Sequence, residues 1–254
     1  MDKIIEISGT KIQTRWLNYA FLEQQKPIVI FLHEALGSIQ QWRTFPQLLC
    51  DRLNFVGLII ERSGHGGSSE LKYPRTKTYL HDYSNETKAV LNELIPTNYP
   101  IYIVGHSDGG TIALLFSIQS KFNIQKVVTM AAHTFVENET LKGIPPAIQA
   151  FETGKLNGLF KIHGPKTTTL FHAWSDTWLS ADFRDWDIRE EIKTISYPIL
   201  AIQGEKDQYG TEKQVESIVC WSNHNKGLLI PNCGHHPHLE KTEFVIEQIE
   251  KWLK

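Results

Sequence analysis

The chain has 254 residues, of which 41% are hydrophobic and 21% are charged, and its formal net charge is −2. This length accommodates one large domain, or a core domain with an insertion, around a sizeable hydrophobic core. Acidic and basic residues are interspersed and nearly balanced, which argues against nucleic acid or an anionic membrane as the main partner.

The cysteines and the apolar runs indicate a cellular location. Cys50, Cys220 and Cys233 have no framework spacing, which is typical of free thiols in a reducing compartment. The amino-terminal segment MDKIIEISGT has no apolar run long enough for a signal peptide. No stretch approaches the ~18 uninterrupted apolar residues of a membrane span. We therefore predict a cytoplasmic protein without a membrane segment.

The predicted elements follow one another in a regular order. Residues 3–19 predict an antiparallel hairpin at the edge of a sheet. From residue 26 onward, short apolar and β-branched runs alternate with helical patterns, and such runs are typical of parallel strands covered on both faces. The predicted strands cover residues 27–33, 55–60, 101–105, 124–130, 198–204 and 226–231. The predicted helices cover residues 39–53, 79–95, 111–120 and 242–253.

This alternation predicts an α/β fold with a mostly parallel central sheet, helices on both faces and right-handed crossovers. One interval breaks it. Residues 134–195 contain no convincing strand and carry three of the seven tryptophans, Trp174, Trp178 and Trp186. We interpret this interval as a helical cap folded over the sheet, which leaves residues 1–133 and 196–254 as the core domain.

The stretch IYIVGHSDGG places a serine in a glycine-rich turn between a predicted strand and a predicted helix. Gly105, Ser107 and Gly109 match the pattern G-x-S-x-G, in which a strained turn holds the serine Oγ clear of the sheet. Side chains two residues to either side would collide there, which explains the glycines. The following helix directs free N–H groups toward the position where negative charge would develop. The alternative is a turn that only packs a helix on a strand.

A serine becomes a good nucleophile when a base, oriented by a third group, takes its proton. With this type of turn, the expected chain order is serine, acid, histidine. Asp207 follows the predicted strand 198–204, and His235 follows the predicted strand 226–231. All three candidates come just after the carboxyl ends of strands, where open parallel sheets place their sites. We therefore predict that Ser107, Asp207 and His235 form a catalytic triad.

These motifs together resemble the α/β-hydrolase superfamily from about residue 26 to the carboxyl terminus. FLHEALGS is similar to the family's oxyanion-loop motif, GHSDGG to its nucleophile elbow, GEKDQYG to its acid turn and NCGHHPHLE to its histidine loop. The chain is similar to the capped group that contains small carboxylesterases, enol-lactonases and carbon–carbon bond hydrolases. The resemblance implies an α/β-hydrolase fold and a serine nucleophile, but no particular substrate.

The resemblance also indicates which of the three histidines in the histidine loop is the catalytic one. His235 directly follows Gly234, as the family's catalytic histidine does. His236 and His238 are interpreted as loop or pocket residues. Zinc is not expected at these histidines, because zinc ligands normally converge from helical spacing or from separate elements rather than from one loop.

Two other carboxylates are alternatives to the predicted acid. Asp207 matches the family's acid position, and its short side chain suits a rigid turn. Glu205 is interpreted as a solvated turn residue. Some relatives take the acid from the loop after the strand that follows the nucleophile's helix, and Glu137 is the candidate there.

The oxyanion hole is expected to use two backbone N–H groups. One belongs to Asp108, directly after the nucleophile, and the other to Ala35, in the loop after the strand 27–33. Glu34 occupies the position where the family more commonly has glycine, so either the loop tolerates this side chain or its amide geometry differs. The Asp108 carboxylate is expected to point away from the oxyanion.

Aromatic residues of the cap are candidates for the substrate pocket. Phe171, Trp174 and Trp178 recur on one helix face, which either packs on the core domain or covers an apolar acyl or ring pocket. We predict Trp174 and Trp178 as pocket residues. His133, at the carboxyl end of a strand, is expected to face the same pocket. The glycine-rich loop 61–69 is interpreted as structural.

The sequence therefore predicts a serine hydrolase that cleaves small carboxylic esters or lactones through an acyl-enzyme, with no cofactor and no metal. Its expected partner is a small-molecule substrate with an apolar acyl or ring portion. Two alternatives remain open. One is a cofactor-independent carbon–carbon bond hydrolase, lyase or dioxygenase with the same triad. The other is a non-catalytic binding protein on the same fold.

Overall fold

The computed structural model describes residues 1–71, 73–118 and 120–254. Within these residues one mixed sheet contains the strands β1 (Asp2–Ile7), β2 (Thr10–Leu17), β3 (Ile28–Leu32), β4 (Val56–Glu61), β5 (Ile101–His106), β6 (Ile124–Met130), β7 (Ile199–Gly204) and β8 (Lys226–Ile230). Their order across the sheet is β1-β2-β4-β3-β5-β6-β7-β8. β1 and β2 form the predicted antiparallel hairpin at one edge, and β2 pairs antiparallel with β4. The other pairs are parallel.

The central strands are apolar on both faces. In β3, Ile28, Ile30 and Leu32 contact one hydrophobic cluster, and Val29 and Phe31 contact the other. Each of these side chains is fully buried. A strand without a polar face is typical of a parallel sheet that helices cover on both sides.

The helices are α1 (Phe45–Leu53), α2 (Tyr79–Leu94), α3 (Asp108–Ser117), α4 (Asn138–Glu152), α5 (Gly158–His163), α6 (Thr167–Leu179), α7 (Arg189–Ile192), α8 (Glu212–Val219), α9 (Pro237–Glu240) and α10 (Thr242–Leu253). Helices α2, α3 and α8 pack on one face of the sheet, and α1 and α10 pack on the other. This arrangement confirms the predicted α/β class. In the described ranges, we find no helix whose length and hydropathy would allow it to span a bilayer.

The helix predicted to begin at residue 39 begins instead at Phe45. Arg43 adopts a left-handed backbone conformation with φ of +51°, which interrupts a right-handed helix. Pro46 then lies in the first turn of α1, where the missing N–H would have no partner in any case. The start of the predicted helix was therefore wrong, because a single backbone conformation overrode the apolar pattern.

The helix predicted over residues 111–120 begins earlier, at Asp108. The chain passes directly from β5 into α3, and the N–H groups of Gly110 and Thr111 already donate to the carbonyl of Ser107. The helix ends at Ser117. Gln119, within the predicted range, lies outside the described residues.

Residues 134–195, all of which are described, contain α4 to α7 and contribute no strand to the sheet. An isolated antiparallel bridge between Phe135 and Asp187 brings the two ends of this segment together. Phe151 of α4 stacks on Phe171 of α6, with ring centroids 4.0 Å apart. The segment is a helical unit that leaves the sheet after β6 and returns before β7.

Candidate active site

Ser107 lies in a strained turn between β5 and α3. Its backbone has φ of +52° and ψ of −121°, a conformation that side-chain-bearing residues rarely adopt. A Cβ on Gly105 would collide with the backbone of Gly109, and a Cβ on Gly109 would collide with the carbonyl of Leu32. Glycine at both positions therefore allows the close approach that this turn needs.

Two loops bring a histidine and an acid to this serine. His235, in the loop after β8, has its Nε2 3.0 Å from Ser107 Oγ. Its Nδ1 lies 2.9 Å from both oxygens of Asp207, in the turn after β7. An ionised carboxylate only accepts hydrogen bonds, so Nδ1–H donates to Asp207 and the Nε2 lone pair faces the serine hydroxyl. The three residues that the sequence predicts as a triad thus form a chain of contacts through His235.

Asp207 receives two further hydrogen bonds. The backbone N–H of Tyr209 donates to its Oδ1 over 2.8 Å, and the side-chain amide of Gln203 donates to its Oδ2 over 2.9 Å. Burial raises the pKa of the Asp207 carboxyl, but the charge and hydrogen bonds around it outweigh burial and hold the pKa below its ordinary value. Asp207 is therefore ionised at neutral pH.

The pKa of the His235 imidazole shifts upward, in the opposite direction to that of Asp207. Burial lowers its pKa, but the charge and hydrogen bond of Asp207 outweigh burial and raise the pKa above its ordinary value. A raised pKa makes the imidazole a stronger base. His235 is thus suited to accept a proton from Ser107.

A second buried pair supports the histidine loop. His106 Nε2 is 2.7 Å from the backbone carbonyl of His235, and His106 Nδ1 is 3.3 Å from Oε2 of Glu34. Both neighbours are acceptors, so both nitrogens of His106 donate. Burial raises the pKa of the Glu34 carboxyl, but the hydrogen bond and charge of His106 lower it more, to well below its ordinary range. The side chain that replaces the expected glycine thus helps to hold His235.

Glu34, His106 and His236 form a group that resembles a set of metal ligands. One ligand atom from each lies within 4.8 Å of the others. Burial, followed by the charge of His106, lowers the pKa of His236 to about 4, so its ring is neutral at neutral pH. Both nitrogens of His106 already make hydrogen bonds, so a cation here would have to displace His106 from Glu34 or from the histidine loop.

Two backbone N–H groups are free beside the serine. In the described part of the chain, the N–H groups of Ala35 and Asp108 have no hydrogen-bond partner. Both residues line the cavity that contains Ser107. Asp108 begins α3, where the first N–H groups of a helix have no intrahelical acceptor. These are the two groups that the sequence predicts for an oxyanion hole.

Buried donors orient the loop that carries Ala35. Arg62 donates to the carbonyl of His33, and to that of Glu34 over 2.8 Å. The ring of His65 lies between two carbonyl oxygens, with Nε2 2.9 Å from that of Ala35 and Nδ1 3.0 Å from that of Ser63. The C=O and N–H of a trans peptide point in opposite directions, so anchoring the Glu34 carbonyl fixes the direction of the Ala35 N–H. The glycine-rich loop interpreted as structural therefore supports residues of the candidate site.

Helix α5 and the residues after it make hydrogen bonds to both the loop that carries Ala35 and the glycine-rich loop 61–69. His163 Nε2 donates to the carbonyl of Leu36 over 3.0 Å, and its Nδ1 accepts from the N–H of Gly66 over 3.0 Å. Lys166 is 8% exposed, and its ammonium donates to carbonyls within residues 65–68. Sequence reasoning missed both side chains, because a lone histidine or lysine in a helical segment belongs to no motif.

The Asp108 carboxylate is turned toward α2. Its Oδ2 accepts a hydrogen bond from the Tyr79 hydroxyl over 3.0 Å. That hydroxyl accepts in turn from the indole N–H of Trp178 over 2.9 Å. Burial and the nearby Asp108 raise the pKa of Tyr79 well above its ordinary value, so the hydroxyl remains a donor. Tyr79 was not predicted, because it precedes Asp108 by 29 residues and carries no motif.

A cavity of about 220 Å³ opens beside Ser107. The predicted pocket residues His133, Trp174 and Trp178 line it. His133 Nε2 donates to the carbonyl of Tyr209 over 3.0 Å, whereas its buried Nδ1 has no partner among the described residues. Further lining residues are Glu34, Gln41, Ala147, Leu156, Leu159 and His236.

The alternative acids lie away from His235. Glu137 accepts hydrogen bonds from Thr211 and Gln214, and it therefore holds the start of α8. Glu205 is exposed on the turn that carries Asp207. Neither carboxylate makes a hydrogen bond with the imidazole in the described chain.

Two other aromatic candidates are packing residues. Phe171 is fully buried, stacks on Phe151 and lies edge-on to Trp174, with ring centroids 5.6 Å apart. His238 packs on Trp42, with ring centroids 4.9 Å apart, and burial holds its pKa well below its ordinary value. Of the predicted helix face, Trp174 and Trp178 thus reach the cavity, and Phe171 packs beside it.

A family model described as the alpha/beta hydrolase fold matches residues 27–189. The chain belongs to this family. It is also 22% identical to a 2-succinyl-6-hydroxy-2,4-cyclohexadiene-1-carboxylate synthase of Salmonella newport. That match covers 90% of this chain and 94% of the relative.

Solved structures share the fold over nearly the whole chain. The enol-lactonase from Burkholderia xenovorans LB400 has a TM-score of 0.77 at 15% identity, covering 99% of each chain. The esterase RhEst1 from Rhodococcus sp. ECU1013 has a TM-score of 0.73 at 18% identity, covering 100% of this chain and 98% of the other. A serine hydrolase involved in carbazole degradation, CarC, has a TM-score of 0.78 at 16% identity, covering 100% and 98%.

Proposed function

We propose that the protein is a serine hydrolase that cleaves small carboxylic esters or lactones through an acyl-enzyme on Ser107. One observation carries the proposal: Ser107 Oγ, His235 and Asp207 form a continuous chain of hydrogen bonds of about 3 Å, and Ser107 and His235 line a cavity. Such a chain turns a weakly nucleophilic hydroxyl into an effective one.

Each residue has a defined role in this proposal. His235 Nε2 takes the proton of Ser107 as Oγ attacks the substrate carbonyl, and Asp207 holds the imidazole in the required tautomer and favours its charged form. The N–H groups of Ala35 and Asp108 stabilise the oxyanion. The leaving alcohol takes the proton from His235. Water, activated by the same imidazole, then hydrolyses the acyl-enzyme.

We also propose that residues 134–195 act as a cap over the site. This segment contributes Leu156, Leu159, Trp174 and Trp178 to the cavity wall. The volume of about 220 Å³ is below the ~300–1,000 Å³ typical of drug-sized ligands, which favours a short acyl chain or a small ring. Residues 1–133 and 196–254 would form the core domain.

The similarity to a synthase supports a second candidate, a cofactor-independent lyase or carbon–carbon bond hydrolase that uses the same three residues. The compound in that relative's name is a carboxylate. Among the described residues that line this cavity there is no lysine or arginine to pair with one. Ester or lactone hydrolysis is therefore favoured.

A fluorophosphonate probe and substrate screening test the proposal. The native protein should be labelled, and it should hydrolyse p-nitrophenyl esters of short acids or small lactones. Ser107→Ala should abolish labelling and lower kcat by about 10⁴- to 10⁶-fold, because the nucleophile is lost. Ser117→Ala is the matched control, since Ser117 Oγ donates only to the carbonyl of Ala113 within α3. Turnover retained by a folded Ser107→Ala would refute the mechanism, and an unlabelled, inactive native protein would favour a binding role.

A further inference from the structure

A second cavity, of about 630 Å³, shares part of its wall with the cavity beside Ser107. We call the cavity beside Ser107 the inner cavity and the second one the outer cavity. Ala147 of α4, Leu156 and Tyr209 line both of them. Each of these three residues is only partly buried. The two cavities are therefore neighbours that are separated by the same three side chains.

Small residues on one face of α4 form a side of the outer cavity. Gly143, Pro146, Ala147 and Ala150 line it, and their spacing of three or four residues places them on one helix face. A Cβ on Gly143 would collide with the backbone carbonyl of Gln208, so glycine allows α4 to pack closely on the turn after β7. Ala147 follows one helical turn later, where its short side chain leaves open space beside that turn.

The outer cavity suits an apolar group better than an ion. Among the described residues, the charged ones that line it are Glu139, Lys142 and Asp207. The side chains of Glu139 and Lys142 are exposed and pair with each other over 3.7 Å. The Asp207 side chain has no accessible surface and is bonded to His235, so only the backbone of Asp207 is available to the cavity. An ionic group would therefore find no free partner of opposite charge here.

His235 determines which part of an ester faces the outer cavity. The leaving oxygen takes its proton from His235 Nε2, so the alcohol portion must lie on the His235 side of the bond that breaks. The ring of Tyr209 lies edge-on to that of His235, with ring centroids 4.8 Å apart. Leu159, Trp174 and Trp178 line the inner cavity and not the outer one. They are therefore left for the acyl portion.

We propose that the outer cavity binds the alcohol portion of the substrate, so that the enzyme prefers esters of a short acid with an alcohol that has a longer apolar chain. The inner cavity, of about 220 Å³, holds the acyl group. The alkyl chain of the alcohol passes between Ala147 and Tyr209 and lies along α4. Ala147 determines this specificity, because a larger side chain would close the passage. The inference rests on the proposed hydrolase function and specifies its substrate class.

Three esters test the inference. Ethyl butyrate is the reference, and hexyl butyrate and ethyl octanoate are isomers that each add four methylenes to it, on the alcohol and on the acid respectively. Hydrolysis is followed by titration of the acid released. Hexyl butyrate should exceed ethyl butyrate in kcat/KM by at least about tenfold, because each methylene that is fully buried contributes up to about fourfold. Ethyl octanoate should be a poorer substrate than its isomer, because the inner cavity is too small for its acyl chain.

Two variants locate the passage and the outer cavity. Ala147→Phe should close the passage and bring the rates for hexyl butyrate and ethyl butyrate close to each other. Ala150→Phe, which fills the outer cavity without reaching the inner one, should reduce the same ratio even if Ala147→Phe fails to fold. Gln149→Phe is the matched control, because Gln149 is exposed on the same helix and is not among the described residues that line either cavity. It should leave the ratio as it is in the native protein.

Binding to Ser107→Ala, measured by calorimetry with the same three esters, separates this inference from the proposed reaction. If the native protein hydrolyses none of them but Ser107→Ala binds hexyl butyrate more tightly than ethyl octanoate, the binding of the longer chain stands and the reaction fails. If ethyl butyrate is hydrolysed but the hexyl chain brings no advantage, the reaction stands and the inference is overturned. It is equally overturned if ethyl octanoate is the better isomer, or if Gln149→Phe changes the ratio as much as Ala147→Phe.

Discussion

Asp207→Asn tests the proposed triad most directly, because three donors converge on this carboxylate. They are the N–H of Tyr209, the amide of Gln203 and Nδ1–H of His235. An amide offers one acceptor oxygen and one NH2 group in place of two acceptor oxygens. If the new oxygen keeps the bond from Tyr209, its NH2 meets the amide of Gln203. If it keeps the bond from Gln203, its NH2 meets the N–H of Tyr209.

In either orientation of the new amide, the expected losses of activity and of stability can be estimated. An NH2 group beside Nδ1 stabilises the tautomer of His235 that has its proton on Nε2, and this tautomer cannot accept the proton of Ser107. Replacing the acid of such a triad by its amide lowers kcat by about 10⁴-fold, or ~5.4 kcal/mol of transition-state stabilisation. The buried donor left without an acceptor should also lower the free energy of unfolding by about 1–3 kcal/mol.

The pH profile changes with a defined sign. The base must be neutral to act, so kcat/KM should rise with pH as His235 loses its proton. The ionised Asp207 holds the pKa of this imidazole above its ordinary value. Removing the negative charge therefore moves the rising limb to lower pH, at the same time as it lowers the plateau.

The assay is hydrolysis of a short p-nitrophenyl ester from about pH 5 to about pH 9, with the melting temperature as a check on folding. Glu205→Gln is the matched control, because it neutralises an exposed carboxylate on the same turn. It should leave both limb and plateau unchanged. A folded Asp207→Asn that keeps more than about a tenth of the plateau rate would refute the assignment. A shifted limb in Glu137→Gln, with none in Asp207→Asn, would transfer the role to Glu137.

Two further predictions concern the cavity wall and the loop that carries Ala35. Trp174→Ala enlarges the cavity and should shift the preference of the enzyme toward longer acyl chains. Phe171→Ala, beside it, should mainly lower the free energy of unfolding, by about 3–5 kcal/mol. If Trp174→Ala lowers the melting temperature but leaves the acyl-chain preference unchanged, Trp174 only packs. His163→Phe removes the donor to the carbonyl of Leu36 and should lower kcat by about tenfold with little change in KM, since a misdirected Ala35 N–H weakens transition-state binding. His163→Gln, which keeps a donor, should recover part of the rate, and a change confined to KM would contradict this role.

Local patterns in the sequence predicted the sheet and the turn at Ser107. Residues 28–32, IVIFL, are a continuous apolar run inside the predicted strand 27–33, and β3 covers these residues. Such a short run, repeated between helical patterns, is typical of strands in a covered parallel sheet, so length and composition predicted it. Glycine is needed at 105 and 109 because a Cβ at either position would collide with backbone near the turn. The spacing of the two glycines around Ser107 therefore predicts the turn from sequence alone.

Contacts between distant segments were decided only by the tertiary structure. His163 reaches the carbonyl of Leu36 across 127 residues, and Arg62 reaches that of Glu34 across 28. The sequence showed Glu34 as a departure from an expected glycine but gave no sign that its carboxylate meets His106, 72 residues away. Hydrophobic periodicity records which face of an element is buried, whereas such hydrogen bonds depend on how the elements pack and on the direction of single side chains. No local pattern encodes that direction, so the residues that orient the candidate site became visible only once the chain was folded.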